Sequence, residues 1–472
     1  MNRTVVYIFA VFATIMFAAL VSSAHARLES STPASGAALE TAPSEVKLRF
    51  SVRIQPAMSS IRVVQVSSGA AIGTGPLQME DGGKTIFVAL TGQVVAGPYR
   101  VDWKALSTDD HMIEGSFDFS VGPVFTEAAA PPDAAVHDGT EHTTHEVEPA
   151  INWSQSLVRW LIYLPMILLT GGLSFRIFVA DDVLFQTGSF DSRLIAILSA
   201  SSVFLLVGLL VALALQTQTV VGSINPVRSV EILRETSFGL PWTVQTASVL
   251  FCLVLISVAR VSESSKSALF ACAFIFSLVM LLGSSLSGHA RAASSEYSLA
   301  IFSDWLHFAA ASIWVGGLFV IGLCVPGAMR CIDRDIAGER LAIWISRFTR
   351  IAIPATILLL LSGLYNSWIH VDSFPALVGT TYGVFLLSKI GIAGVMVVLG
   401  GINALVLQGR LQAGSAESSG RTESRLFRSV RFEALLAIAV LLLAALLAFL
   451  PPAREHAPVF GGEDSNIGQN AK

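Results

Sequence analysis

Charge is what this sequence has least of. Asp, Glu, Lys and Arg make up 14% of its 472 residues, against 53% apolar ones. That balance argues against an ordinary soluble enzyme and fits a chain of membrane-crossing helices. The net charge of −4 gives no electrostatic reason to expect nucleic acid. Cysteine is scarce too. Cys252, Cys272, Cys324 and Cys331 all lie in the apolar part, so no disulfide framework holds the N-terminal part together. No Gly-x-x-x-x-Gly-Lys-Ser/Thr segment occurs, which argues against a nucleotide-driven pump.

What is present falls into five stretches. Residues 1–24 read as a secretory signal, with Arg3 before the apolar run Val5 to Leu20 and small residues after it. Cleavage after Ala24 makes His25 the new N-terminus, whereas cleavage after Ala26 removes it. Residues 25–122 alternate apolar and polar side chains, as at Val46, Leu48 and Phe50, at Val101 and Trp103, and at Phe117, Phe119 and Val121. Period-two patterning with Pro- and Gly-containing breaks predicts an all-β, cupredoxin- or Ig-like Greek-key barrel or sandwich. Residues 123–154 have no periodicity and read as a linker carrying His137, His142 and His145.

Residues 155–452 hold apolar runs near 156–179, 194–216, 240–260, 268–288, 299–324, 349–369, 381–408 and 432–450. Each is about long enough to cross a bilayer as a helix, roughly 20 residues. The prediction is an α-helical polytopic bundle of about eight spans. Basic residues sit mainly in alternate loops, at Arg260 and Lys266, at Arg330 to Arg347 and at Arg410 to Arg428. By the positive-inside rule those loops face the cytoplasm. The N-terminal domain and the tail 453–472 are then expected in the periplasm.

A first metal site is readable in the polar part. An N-terminal His25 would offer its α-amine and its ring nitrogen to one ion. Asp109 and His111, two apart at a strand start, would add a carboxylate and a second imidazole. Such a nitrogen and oxygen set suits Cu(II). Spacing alone leaves Asp109 and His111 equally readable as ordinary loop residues.

His25-Ala26-Arg27-Leu28 with Ser31-x-Pro33-x-x-Gly36 resembles the start of the mature copper-resistance C (CopC) family. Trp103, Ser107-Thr108-Asp109-Asp110-His111 and Gly115-Ser116-Phe117 are similar to its second signature. The resemblance implies a cupredoxin-like β-domain binding Cu(II) through His25, Asp109 and His111. Met58, Met79 and Met112 are scattered, unlike the Met-rich loop that holds Cu(I) in some members. The apolar part resembles the copper-resistance D (CopD) family through Asp304-Trp305-Leu306-His307, Trp314-Val315-Gly316-Gly317, Ser346-Arg347-Phe348, Thr381-Tyr382-Gly383 with Lys389, and Arg431-Phe432-Glu433 with Pro451-Pro452. The resemblance implies copper import or supply. Expected partners are the bilayer, the copper ion and periplasmic copper chaperones, at a bacterial inner membrane.

Ionisable residues inside a bilayer are costly and mark function by default. His307 is expected within the fifth span, with Asp304 on the same face as a partner orienting the imidazole. His289 and His370 are expected at the ends of the fourth and sixth spans, so that the three imidazoles form a membrane-side copper site. Each is also readable as an interfacial or hydrogen-bonding residue. Lys389 needs a partner, with Asp304 or an aromatic face as candidates. Glu433 beside Arg431 reads as a solvated cap. Cys252, Met166 and Met280 at mid-membrane, with Cys324, Met329 and Cys331 further on, read as core-fillers or as a soft path for Cu(I). Paired intramembrane histidines also ligate haem, so a membrane cytochrome or metal reductase stays open, as does copper sequestration or sensing without transport.

Overall fold

Alternation decides the N-terminal part. The computed structural model describes residues 28–107, 112–122, 153–262, 264–287, 297–371, 373–407, 416–448 and 450. The strands are β1 (Leu28–Thr32), β2 (Ala38–Leu39), β3 (Glu45–Phe50), β4 (Ile54–Gln65), β5 (Gln78–Glu80), β6 (Thr85–Ala89), β7 (Gly97–Ser107) and β8 (Met112–Val121). Val46, Leu48 and Phe50 of β3 are fully buried, each contributing about 1.5–3 kcal/mol by leaving water. Lys47 and Arg49 between them bridge outward to Glu45, Glu80, Glu29 and Asp81.

The strands form two four-stranded sheets, ordered β1-β3-β6-β5 and β2-β8-β7-β4. The all-β expectation therefore holds, as a sandwich. β7 and β8 make its longest hairpin, paired from Gly97 with Val121 to Leu106 with Met112. Within it Trp103 lies opposite Gly115, and the indole covers the glycine. A Cβ on Gly115 would lie 2.6 Å from Trp103 Cζ2. The edge of Phe50 meets the same indole at 5.4 Å.

Among the described residues eight helices are long and apolar enough to cross a membrane: Trp153–Phe178, Ser189–Val221, Gly239–Ala259, Lys266–Leu286, Ser298–Met329, Ile336–Ile369, Thr381–Leu405 and Gly420–Leu447. They are numbered here as spans one to eight. The first and fifth are the most buried and the seventh the least. The first and fifth touch backbone to backbone. A Cβ on Gly171 would overlap the Ser312 carbonyl oxygen, and one on Gly316 would lie 2.7 Å from Gly171 Cα. Small residues permit such close approach within a bilayer. The fifth span is wound as a π-helical turn, Ser312–Gly316, at this contact.

Ionic contacts tie one end of the bundle. The Arg176 guanidinium lies between the Phe185 and Phe270 rings, 4.0 and 4.2 Å from their centroids, and binds Asp191 at 3.0 Å. Lys266 reaches the other oxygen of Asp191 at 2.9 Å. Asp181 caps the helix Asp182–Gln186 and accepts from the Trp344 indole at 3.0 Å. Spans one, two, four and six are thereby joined.

Replacing Gly115 by Ala is expected to force the Trp103 indole aside and destabilise the sandwich by about 1–3 kcal/mol. Urea unfolding followed by Trp fluorescence reads this. An unchanged midpoint would mean that the indole moves without cost.

Candidate functional site

His307 is set by its hydrogen bonds. Its Nδ1 lies 3.0 Å from Ser362 Oγ on the sixth span. That hydroxyl already donates to the Leu358 carbonyl at 2.6 Å. With that proton given to Leu358, the hydroxyl accepts when Nδ1 carries the proton, the tautomer whose Nε2 keeps the lone pair a metal-ligating imidazole requires. A ring nitrogen also bonds to the Leu359 carbonyl. The sixth span comes close here because residue 363 is glycine. A Cβ on Gly363 would lie 3.2 Å from His307 Cε1.

Asp304 does not do what its position on the same face suggested. Its carboxylate bonds to Ser285 of the fourth span and feels the charges of Lys389 and Arg159. Ser362 is the orienting partner of the imidazole. The reason is geometric. The fifth span turns Asp304 toward spans one, four and seven, and His307 toward span six. Lys389 has Asp304 as its electrostatic partner, one of the two candidates read from the sequence. Nearby, Ser303 Oγ donates to Asn366 Oδ1 at 2.9 Å, and the Tyr163 ring packs on Phe308 at 5.3 Å. Sequence reasoning missed Arg159, Ser285, Ser362 and Asn366. Serines and an asparagine in apolar runs are too common to stand out without the packing.

The sulfur atoms divide. Met166 Sδ accepts from Ser284 Oγ at 3.2 Å, next to the Ser285 that binds Asp304. Met280, one turn before Ser284, is also buried. Cys252 is tied to the Ala273 carbonyl at 3.2 Å. Cys324 is buried and Cys331 exposed. Glu433 corrects its expected role as a solvated cap. It is fully buried and accepts from Asn403 of the seventh span, because it faces its neighbouring helix and not the bundle end.

His25, Asp109, His111 and His289 lie outside the described residues. For His370 only the backbone is described, closing the helix Arg334–His370. Among the described residues no three His, Cys, Asp or Glu gather to hold a metal. The described neighbours of the first site are informative. Leu28, opening β1, pairs with Phe50. Phe50 touches Trp103, and from Trp103 β7 runs on to Ser107.

A β-sandwich coded ahead of eight apolar spans defines a multi-pass membrane protein with an N-terminal β-domain. The family models that match are the CopC domain over residues 28–122, the copper resistance protein D-like N-terminal domain over 150–298 and copper resistance protein D over 342–447. The chain belongs to the copper-resistance and copper-transport family, as a fusion of its C and D proteins. Copper transport protein CutJ of Bacillus subtilis (strain 168) is 29% identical over 451 residues, covering 94% of this chain and 77% of that one. Copper resistance protein C of Pseudomonas syringae pv. tomato is 34% identical over 116 residues, covering 23% of this chain and 90% of that one. Among solved structures, CopC from Methylosinus trichosporium OB3b is 28% identical, covers 21% of this chain and 96% of that one, and has a TM-score of 0.19.

A double-mutant cycle tests the central charge pair. Asp304→Asn is expected to lower the melting temperature of the detergent-solubilised protein. Adding Lys389→Met is expected to restore part of that loss, with a coupling of at least about 1 kcal/mol. Strictly additive losses would show that the two charges do not interact.

Proposed function

We propose that this protein captures Cu(II) in the periplasm and passes copper into and across the inner membrane. The observation that carries the reading is His307, an imidazole within the bundle whose Nδ1 meets a hydroxyl already donating elsewhere, so that the Nδ1–H tautomer would offer Nε2 to a metal. The mature N-terminal His25, Asp109 and His111 form the capture site. The chain resembles copper resistance protein C over this region. The amine, two imidazoles and a carboxylate would hold Cu(II) in a tetragonal set.

His307 receives the ion inside the bundle, with His289 and His370 as further ligands near the same surface. In the Nδ1–H tautomer no proton has to leave Nε2 when copper arrives. Asp304 offsets the Lys389 ammonium, which would otherwise repel a cation beside His307. Met166 and Met280 are soft donors suited to Cu(I), so they would serve only copper already reduced by an external one-electron donor. The orientation rests on basic residues concentrated in alternate loops. It puts the sandwich and both termini in the periplasm, where copper chaperones would be the donors. That the Bacillus relative is named a copper transport protein supports transfer over sequestration.

Two measurements test this. Removing His25 from the mature protein is expected to weaken Cu(II) binding at least about tenfold, or roughly 1.4 kcal/mol, in a competition titration. Undiminished affinity would remove the capture site. His307→Ala is expected to abolish chain-dependent copper accumulation in cells while leaving that titration unchanged. Equal accumulation in cells with the native chain, with the variant and without the chain would defeat the transport reading.

A further inference from the structure

A second polar pair lies far along the seventh span from Lys389. Glu433 of the eighth span is fully buried, and Asn403 is 7% exposed. Glu433 Oε1 accepts from Asn403 Nδ2, and Ser429 also bonds to the carboxyl. The other two atoms of the pair, Glu433 Oε2 and Asn403 Oδ1, are buried without a partner among the described residues. Both are acceptors, so neither can satisfy the other as drawn. The charged and titratable groups of the helices around it include Arg159 and Arg176 on the first span, Asp304 and His307 on the fifth, Arg347 and Arg350 on the sixth, Lys389 on the seventh, and Glu423, Arg425, Arg428 and Arg431 on the eighth. None acts on this carboxyl.

An ionised carboxylate so placed, with no counter-charge, would be strongly unfavourable. One proton on Oε2 neutralises the carboxyl and adds a donor where two buried acceptors have none. The surroundings leave room for change. Residue 400 is glycine, and a Cβ there would lie 3.6 Å from Oε2. Asn403 opens a π-helical turn, Asn403–Leu407, a local irregularity frequent at functional sites. The available donors are hard oxygens and an amide, which makes the pair a poor stop for Cu(I) and a good one for a proton.

We propose that Glu433, with Asn403, is a proton-loading site that couples proton movement to the passage of copper. Loaded, the carboxyl is neutral and keeps its bond from Asn403 Nδ2. Unloading breaks the Oε2–H bond, leaves the electron pair on the carboxylate and passes the proton to water at that end of the bundle. This supplies an energy source for a chain without a nucleotide-binding motif. The coupling rests on the transport reading; the protonation of Glu433 does not.

The test uses the full chain in lipid nanodiscs without copper. Infrared difference spectra between low and high pH are expected to show a protonated-carboxyl C=O band that disappears as pH rises. The band is expected to be missing in Glu433→Gln, a neutral isostere, and displaced in Asn403→Leu. No such band, or one that persists at every pH at which the protein stays folded, overturns the loading site. In proteoliposomes enclosing a pH indicator, the native chain is expected to move protons whenever copper moves. Glu433→Gln is expected to reduce that proton flux at least tenfold. An unchanged proton-to-copper ratio in Glu433→Gln overturns the coupling. If the native chain moves no copper, the transport reading fails, and the infrared result still decides the site.

Discussion

The contact between Gly171 and Gly316 governs the membrane part. Two helices cannot touch backbone to backbone unless both are bare at the crossing, and each glycine here leaves room for the other. This close approach fixes the depth of the fifth span against the first. It lays Phe308 on Tyr163 and brings Asp304 within reach of Arg159. The π-helical turn at Ser312–Gly316 changes the winding just beyond His307. The faces presented before and after it are therefore not those of an unbroken helix.

Lipid offers no hydrogen bonds, so every polar group must be satisfied by another part of the protein. The structure meets this demand in three different ways. Arg176 is held by two aromatic faces and Asp191, an arrangement with every partner in place that suits a structural joint. His307 is held by Ser362 and the Leu359 carbonyl, both on the sixth span. Glu433 and Asn403 keep one unsatisfied atom each.

Much of this was legible in the sequence, for physical reasons that also mark where legibility ends. The strands around Leu48, Val101 and Phe119 declare themselves because a half-buried strand has a period of two. The eight spans declare themselves by length and apolar composition. Lys389 announced that it needed a partner, since an isolated ammonium in a bilayer is costly, and Asp304 is that partner. The orientation of His307 was not legible. Sharing a helix face with Asp304 says which way both point, and nothing about the serine on a span more than fifty residues away. Glu433 was misread because the arginines around it mimic a solvated end. Only the packing of the seventh span on the eighth reveals that this one position turns inward.

The seventh span is the least buried of the eight and packs mainly on the eighth. Lys389 and Asn403 both lie on it, separated by about 21 Å of helix and by close to a whole number of turns, so they share one side. Four glycines, Gly391, Gly394, Gly400 and Gly401, lie between them, so this stretch can hold two charged or polar stations in line while leaving its own backbone bare to close neighbours.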